Sequence, residues 1–148
     1  LKTNSETYYA AYYLSSMGAS TKKVQYLLKQ DLKEYIERQQ LITNVDIIED
    51  RIAIAKGSPY ATYRREDLAK IADTLLFFND IEASFVIAKS TSKTIAVSAR
   101  SMGNFNIAKI LTPLGGGGSN LSGAARLTDT TISKVETKLK QILKKEAE

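Results

Sequence analysis

The sequence predicts an α/β layer domain, a mixed sheet flanked by helices, preceded by a helical segment. Two observations carry that expectation. Short β-branched runs at 45–48, 51–55, 83–88 and 94–99 alternate with stretches of helical periodicity at 65–78, 106–114 and 131–145. Hydrophobic residues make up 43% of the 148. That is enough apolar surface to build a core, and it excludes a chain that stays unfolded throughout.

The elements follow in order. Glu6 to Met17 reads as a helix, with Ser5 as N-cap and Gly18 where a left-handed C-cap belongs. Four of the eight tyrosines fall in it, paired at i,i+4 as Tyr8/Tyr12 and Tyr9/Tyr13. They suit a packing face better than a base-stacking surface. Ser20 or Thr21 then caps a helix through Val24, Leu27 and Leu28, and Asp31 caps another with Leu32, Tyr35 and Ile36 inward. Val45 to Ile48 and Arg51 to Ala55 form a hairpin around Glu49-Asp50. Leu68, Ile71, Ala72, Leu75 and Leu76 place a helix over 65–78. Two more strands, 83–88 and 94–99, are joined through Ser90 to Lys93, and a short helix over 106–114 runs into Gly115 to Gly118. A closing amphipathic helix over 131–145 is capped by Thr130 or Thr131 and carries Ile132, Val135, Leu139 and Ile142/Leu143.

Composition narrows the chemistry. The net charge of +5 favours anionic partners, but the lysines are dispersed, whereas a nucleic-acid groove wants them clustered. The chain has no Cys, which excludes disulfides and thiolate zinc sites, and no His. A hydrolase that needs imidazole as metal ligand or general base is therefore not complete in this sequence. No apolar run approaches the ~18 residues of a membrane span. Leu1, in place of Met, leads us to expect further chain upstream.

Three features could bind a ligand. Gly115 to Gly118 with Ser119 and Asn120 could turn several N–H groups onto an anion, or form a flexible linker; structured sequence on both sides favours the loop. Arg100, in Ser98-Ala99-Arg100-Ser101 at the end of a strand, could offer a bidentate fork to phosphate or be a solvated surface arginine. Asn104 to Asn106 could aim the next helix's N-terminus at an anion, although capping alone explains it better. No nucleophile–base pair and no acidic cluster of two-metal type is present.

In order and spacing, Ser98-Ala99-Arg100-Ser101, Gly103, Asn106, Gly115 to Gly118 and Ala124-Ala125 resemble the DHHA1 domain of DHH phosphoesterases. Ala72 to Leu76 (ADTLL) and Glu82 to Ile87 (EASFVI) are similar to the GdpP-type cyclic-di-AMP phosphodiesterases of Gram-positive bacteria. Residues 1–19 resemble the tail of their DHH domain, 20–43 their helical connector and 44–148 their DHHA1 domain. The resemblance implies a two-lobed enzyme whose DHH lobe holds manganese through Asp and His outside this chain, with no cofactor in the chain itself. It further implies that the DHHA1 lobe grips cyclic-di-AMP, with Ser98, Arg100, Ser101, Asn106, Gly115, Gly116, Gly117, Gly118, Ser119 and Asn120 as the expected contacts. Further implications are docking against the DHH lobe of the same parent, a homodimer, and a position on the cytoplasmic side of a membrane-anchored parent. The fragment itself is expected to make no membrane contact.

One departure stands out: the family's glycine run ends in His, and here Ser119-Asn120 follows. Counting forward from the glycines selects Ser119 as the substitute. Counting back from Ala124-Ala125 selects Asn120, which we favour. Three readings follow. The first is a nucleotide-binding lobe that is not catalytic alone. The second is a module holding short RNA or single-stranded nucleic acid without hydrolysis. The third is a protein-interaction domain with a vestigial loop.

Overall fold

The computed structural model describes residues 21–147. The tyrosine-rich helix and the DHH tail expected over residues 1–19 lie outside them. The chain divides between Gln40 and Leu41 into two compact units. Helix α1 (Thr21–Thr43) is a single helix, not the two expected with a cap at Asp31. Nothing in Lys29-Gln30-Asp31-Leu32 breaks a helix, since neither Gly nor Pro is present and Lys, Gln and Leu all propagate one.

The second unit is built on six strands: β1 (Val45–Ile48), β2 (Ile52–Lys56), β3 (Ala83–Thr91), β4 (Thr94–Ser101), β5 (Gly117–Gly118) and β6 (Ser122–Thr128). Their order in the sheet is β1-β2-β3-β4-β6-β5. β2 and β3 pair in parallel through the crossover helix α2 (Arg65–Leu75), and every other neighbouring pair is antiparallel. α3 (Ile107–Leu111) and a single 3-10 turn (Thr112–Leu114) precede β5, and α4 (Ile132–Ala147) closes the chain.

Alternation along the strands divides the core between the two faces of the sheet. Ile52, Ile54, Phe85, Ile87, Ile95, Val97 and Ala99 meet Ile107, Leu111, Val135, Leu139 and Leu143 on the α3/α4 face. Ala53, Ala55, Val86, Ala88 and Ala96 meet Leu68, Ile71, Ala72 and Leu75 of α2 on the other. Alanines on that second face let α2 approach the sheet closely, and buried Ser84 donates its hydroxyl to the Ala72 carbonyl at 2.6 Å. Lys56 Nζ lies 3.0 Å from Glu136 Oε2 and 3.3 Å from Asp46 Oδ2, linking α4 to the β1–β2 edge. The Glu136 carboxylate, more than Asp46, holds this ammonium above the usual lysine range.

Several boundaries differ from expectation. α2 stops at Leu75 rather than Phe78, because Phe77 is exposed and Asp80 turns left-handed at φ 70°. β3 and β4 each run further than their β-branched cores, leaving Ser92-Lys93 as the turn. The expected 106–114 helix tightens at Thr112-Pro113-Leu114, where Pro113 sits in the first turn of the 3-10 segment. Thr131 is the cap of α4, its Oγ1 accepting the Lys134 N–H at 3.2 Å.

The β1–β2 hairpin turns on Glu49 (φ 53°) and Asp50 (φ 60°), both left-handed as a type I′ turn requires. A Cβ-bearing Glu is costly there. The double substitution Glu49→Asn/Asp50→Gly is expected to raise the unfolding free energy by about 1 kcal/mol. Urea denaturation checks this as a higher midpoint at unchanged slope.

Candidate functional site

On the face that α2 covers, the helix packs against β3 and β4, and β6 and β5 lie beyond its edge. An open cavity of about 700 Å³ occupies that margin. Register explains its floor. Ser98 pairs with Ala124, Arg100 with Ser122, and Gly117 with Ala124, and residues paired across antiparallel strands share a face. The floor is thus made of very small side chains. The first turns of α2 form the wall, with Arg65, Glu66 and Ala69 lining the cavity.

Arg100 closes one end. Its Nε lies 2.8 Å from Asp73 Oδ1 and its Nη1 donates to the Ala99 carbonyl at 2.8 Å. Two of the guanidinium's three nitrogens are therefore held inside the protein, which fixes the plane of the fork and leaves Nη2 for a ligand. Ser98 is 6% exposed, lines the cavity, and has a hydroxyl with no partner among the described residues.

The glycine run divides into parts with different tasks. Gly115 takes a left-handed φ of 79° and ends the 3-10 turn, donating its N–H to the Thr112 carbonyl. Gly116 donates to the Leu111 carbonyl at 2.9 Å, and a Cβ there would run into the Ala124 carbonyl and the Ala125 side chain. Gly117 and Gly118 form β5 against β6. Gly118 has φ 148°, and a Cβ on it would meet the Ser122 carbonyl, whereas a Cβ on Gly117 would meet nothing within 4 Å. Gly117 is the glycine whose missing side chain leaves cavity space.

Of the residues singled out from sequence, the cavity brings together Ser98, Arg100, Gly117, Gly118 and Ser119. Ser119 Oγ accepts from the N–H groups of Leu121 and Ser122 at 3.2 Å each, so this serine shapes the turn as well as the wall. Asn120, the substitute favoured from sequence, does not line the cavity; its carbonyl accepts the Ile107 N–H. Asn106 caps α3 by accepting the Lys109 N–H at 3.1 Å. With the Ser119 carbonyl bonded to the Ala108 N–H, the start of α3 is engaged by protein. Ser101 is buried, its Oγ accepting from Gly103 and Phe105. Gly115 and Gly116 stand outside the cavity lining.

Sequence reasoning missed Arg65, Glu66, Ser122 and Asp73. Arg65, Ala69 and Asp73 recur every four residues and so stripe one face of α2, which was a legible signal. Ser122 is placed opposite Arg100 by strand pairing alone.

Residues 49–147 match the DHHA1 domain family. The cyclic-di-AMP phosphodiesterase GdpP of Geobacillus thermodenitrificans is 41% identical over 97% of this chain. The cyclic-di-AMP phosphodiesterase PdeA of Listeria monocytogenes is 40% identical over 94% of it. This chain spans about a fifth of these relatives, 22% and 21% of their lengths. In fold it is similar to an exopolyphosphatase-related protein from Bacteroides fragilis. That match has a TM-score of 0.63 and 18% identity, covering 97% of this chain and 45% of that one. With the mixed sheet, the α2 crossover and the glycine strand in place, the match over residues 49–147 makes this chain a member of the DHHA1 domain family.

Proposed function

We propose that this chain is the nucleotide-gripping lobe of a cyclic-di-AMP phosphodiesterase, and that its cavity binds the substrate's phosphate. The observation that supports this most directly is the meeting of Arg100, the free Ser98 hydroxyl and Gly117 on one open floor. A phosphate seated there takes a charge-assisted bond from the Arg100 fork, oriented in advance by Asp73, and a hydroxyl bond from Ser98. Gly117 lets the ligand approach the backbone where any other residue would stand in its way.

Manganese belongs to the same proposal but not to these residues. Among the described residues no group of three or more Asp, Glu, His or Cys could hold a metal ion, and the sequence has no His or Cys. No hydrolytic step is therefore derived from them; the metal chemistry is assigned to a DHH lobe of the same parent chain. Among the described residues no helix is long and apolar enough to cross a membrane, and we place any anchor elsewhere in the parent.

The rival reading, a module for short single-stranded nucleic acid, predicts a different preference. Calorimetric titration of the chain with cyclic-di-AMP and with a short oligoadenylate separates the two; tighter binding of the oligonucleotide overturns the proposal. Incubation with manganese and cyclic-di-AMP is expected to release no product, as read by chromatography. Arg100→Ala should weaken cyclic-di-AMP binding about tenfold or more. It should leave the Tm nearly unchanged, because the Asp73 carboxylate it pairs with is largely solvated. Gly117→Val should abolish binding with the fold intact, whereas Gly116→Val should lower the Tm sharply through its collision with β6.

A further inference from the structure

Two arginines remain outside the account of the phosphate position. Arg65 lines the cavity from the first turn of α2. Arg126 pairs in register with Ala96, which faces α2, so Arg126 rises from β6 on the cavity's side of the sheet. Ala124, two residues earlier on the same face, lines the cavity itself. Both arginines are exposed, and among the described residues neither is ion-paired or hydrogen-bonded. Arg100, by contrast, is committed to Asp73 and to the Ala99 carbonyl.

Their position along the sheet matters as much as their freedom. α2 lies on β3 with Ala72 beside Ser84, and Asp73 reaches Arg100, so its C-terminal end is at the Arg100 end of β4. Its N-terminal end is near Lys89, where the neighbouring Tyr63 N–H bonds the Lys89 carbonyl and Thr62 bridges the same residue. Lys89 pairs with Ile95, next to Ala96. Arg65 and Arg126 therefore flank the Ala96 end of the floor. The two ends are joined along β4 by Ala96 to Arg100, and Ser98 at the middle lies about 7 Å from either at the usual rise. Between them stand only Ser98, Ala124 and Gly117, so a ligand can lie flat from one end to the other.

Resting on the proposed function, we infer that Arg65 and Arg126 form a second phosphate position and make the cavity a receptor for ligands with two phosphates. One phosphate of a dinucleotide sits at Arg100, Ser98 and Gly117. The other is held by the two free guanidinium groups, each able to present a bidentate fork. A mononucleotide satisfies only the first position and does not depend on the second.

The test is titration of the 148-residue chain with cyclic-di-AMP and with AMP, followed by NMR so that weak binding is measurable. In the double variant Arg65→Ala/Arg126→Ala, cyclic-di-AMP affinity should fall at least roughly tenfold, the loss expected for one charge-assisted phosphate contact. AMP affinity should stay within about twofold. Lys134→Ala/Lys138→Ala removes the same charge from exposed positions on α4 and should change neither ligand. Equal losses for the two ligands, or no loss for either, overturn the second position. In that case a Gly117→Val variant that has lost cyclic-di-AMP binding shows that the first position and the proposed function stand. A wild-type chain that binds neither ligand overturns both.

Discussion

Between Arg100 and Arg126, on the face of the sheet beside α2, no side chain longer than serine rises from the floor, and every other property of the site depends on that size limit. Ala96, Ser98, Ser122, Ala124 and Gly117 meet it on three adjacent strands. Small residues also dominate the neighbouring core, where Ala53, Ala55, Ala88 and Ala96 beside Val86 let α2 lie close to the sheet. One pattern of small residues thus has two consequences. Under α2 it gives close helix–sheet packing, and beyond the helix's edge it leaves a cavity. A larger residue at Ser98 or Ala124 would extend the core by one column and remove the site.

The glycines are placed by the same geometry. β5 is two residues long and lies against β6 closely enough that a Cβ at Gly116 or Gly118 would strike the β6 backbone. Those two glycines are required by packing, and Gly115 by a left-handed turn. The loop is therefore rigid, with the amides of Gly115, Gly116 and Ser119 already bonded to carbonyls. It contributes shape more than a nest of free donors. Cationic charge at the cavity therefore comes from side chains, and those that line it are Arg65 and Arg100.

Much of the fold was legible because its signals are local. The β-branched runs around Phe85-Val86-Ile87 and Ile95-Ala96-Val97, together with the spacing of Leu68, Ile71 and Leu75, specified strands and helix without reference to partners. Boundaries were misread where a local signal was ambiguous or where pairing elsewhere in the sheet decided them. Asp31 resembles a cap but sits mid-helix, and β4 extends through Arg100 and Ser101 because β3 and β6 pair with it there. The site was half legible for the same reason. Arg100 and the glycines stand out in the linear sequence, whereas Arg126 is brought to the cavity's side of the sheet only by its register with Ala96, and Ser119 rather than Asn120 lines the cavity at the turn its Oγ organises. Which residue of Ser119-Asn120 lines the cavity depends on the turn closed by the Ser119 Oγ, which counting along the chain does not reveal.

Charge along the cavity is uneven, and the unevenness is what distinguishes its two ends. At the Arg100 end a guanidinium faces Asp73 at 2.8 Å, so the local field is that of an ion pair, attractive mainly along the free Nη2 edge. Such an arrangement orients a phosphate well but adds little net positive potential. At the Ala96 end Arg65 and Arg126 have no carboxylate within ion-pairing distance, and Glu66 is the acidic residue among those lining the cavity. Attraction for an anion arriving from solvent is therefore strongest at the end with unpaired arginines, and directional fit is strongest at the end with the paired one. On the proposed reading, a ligand with two phosphates approaches through the Ala96 end and is aligned at the Arg100 end. A histidine after the glycines would have placed a titratable donor on the loop itself. Here the cationic side chains on this face of the sheet stand on β4, α2 and β6 instead.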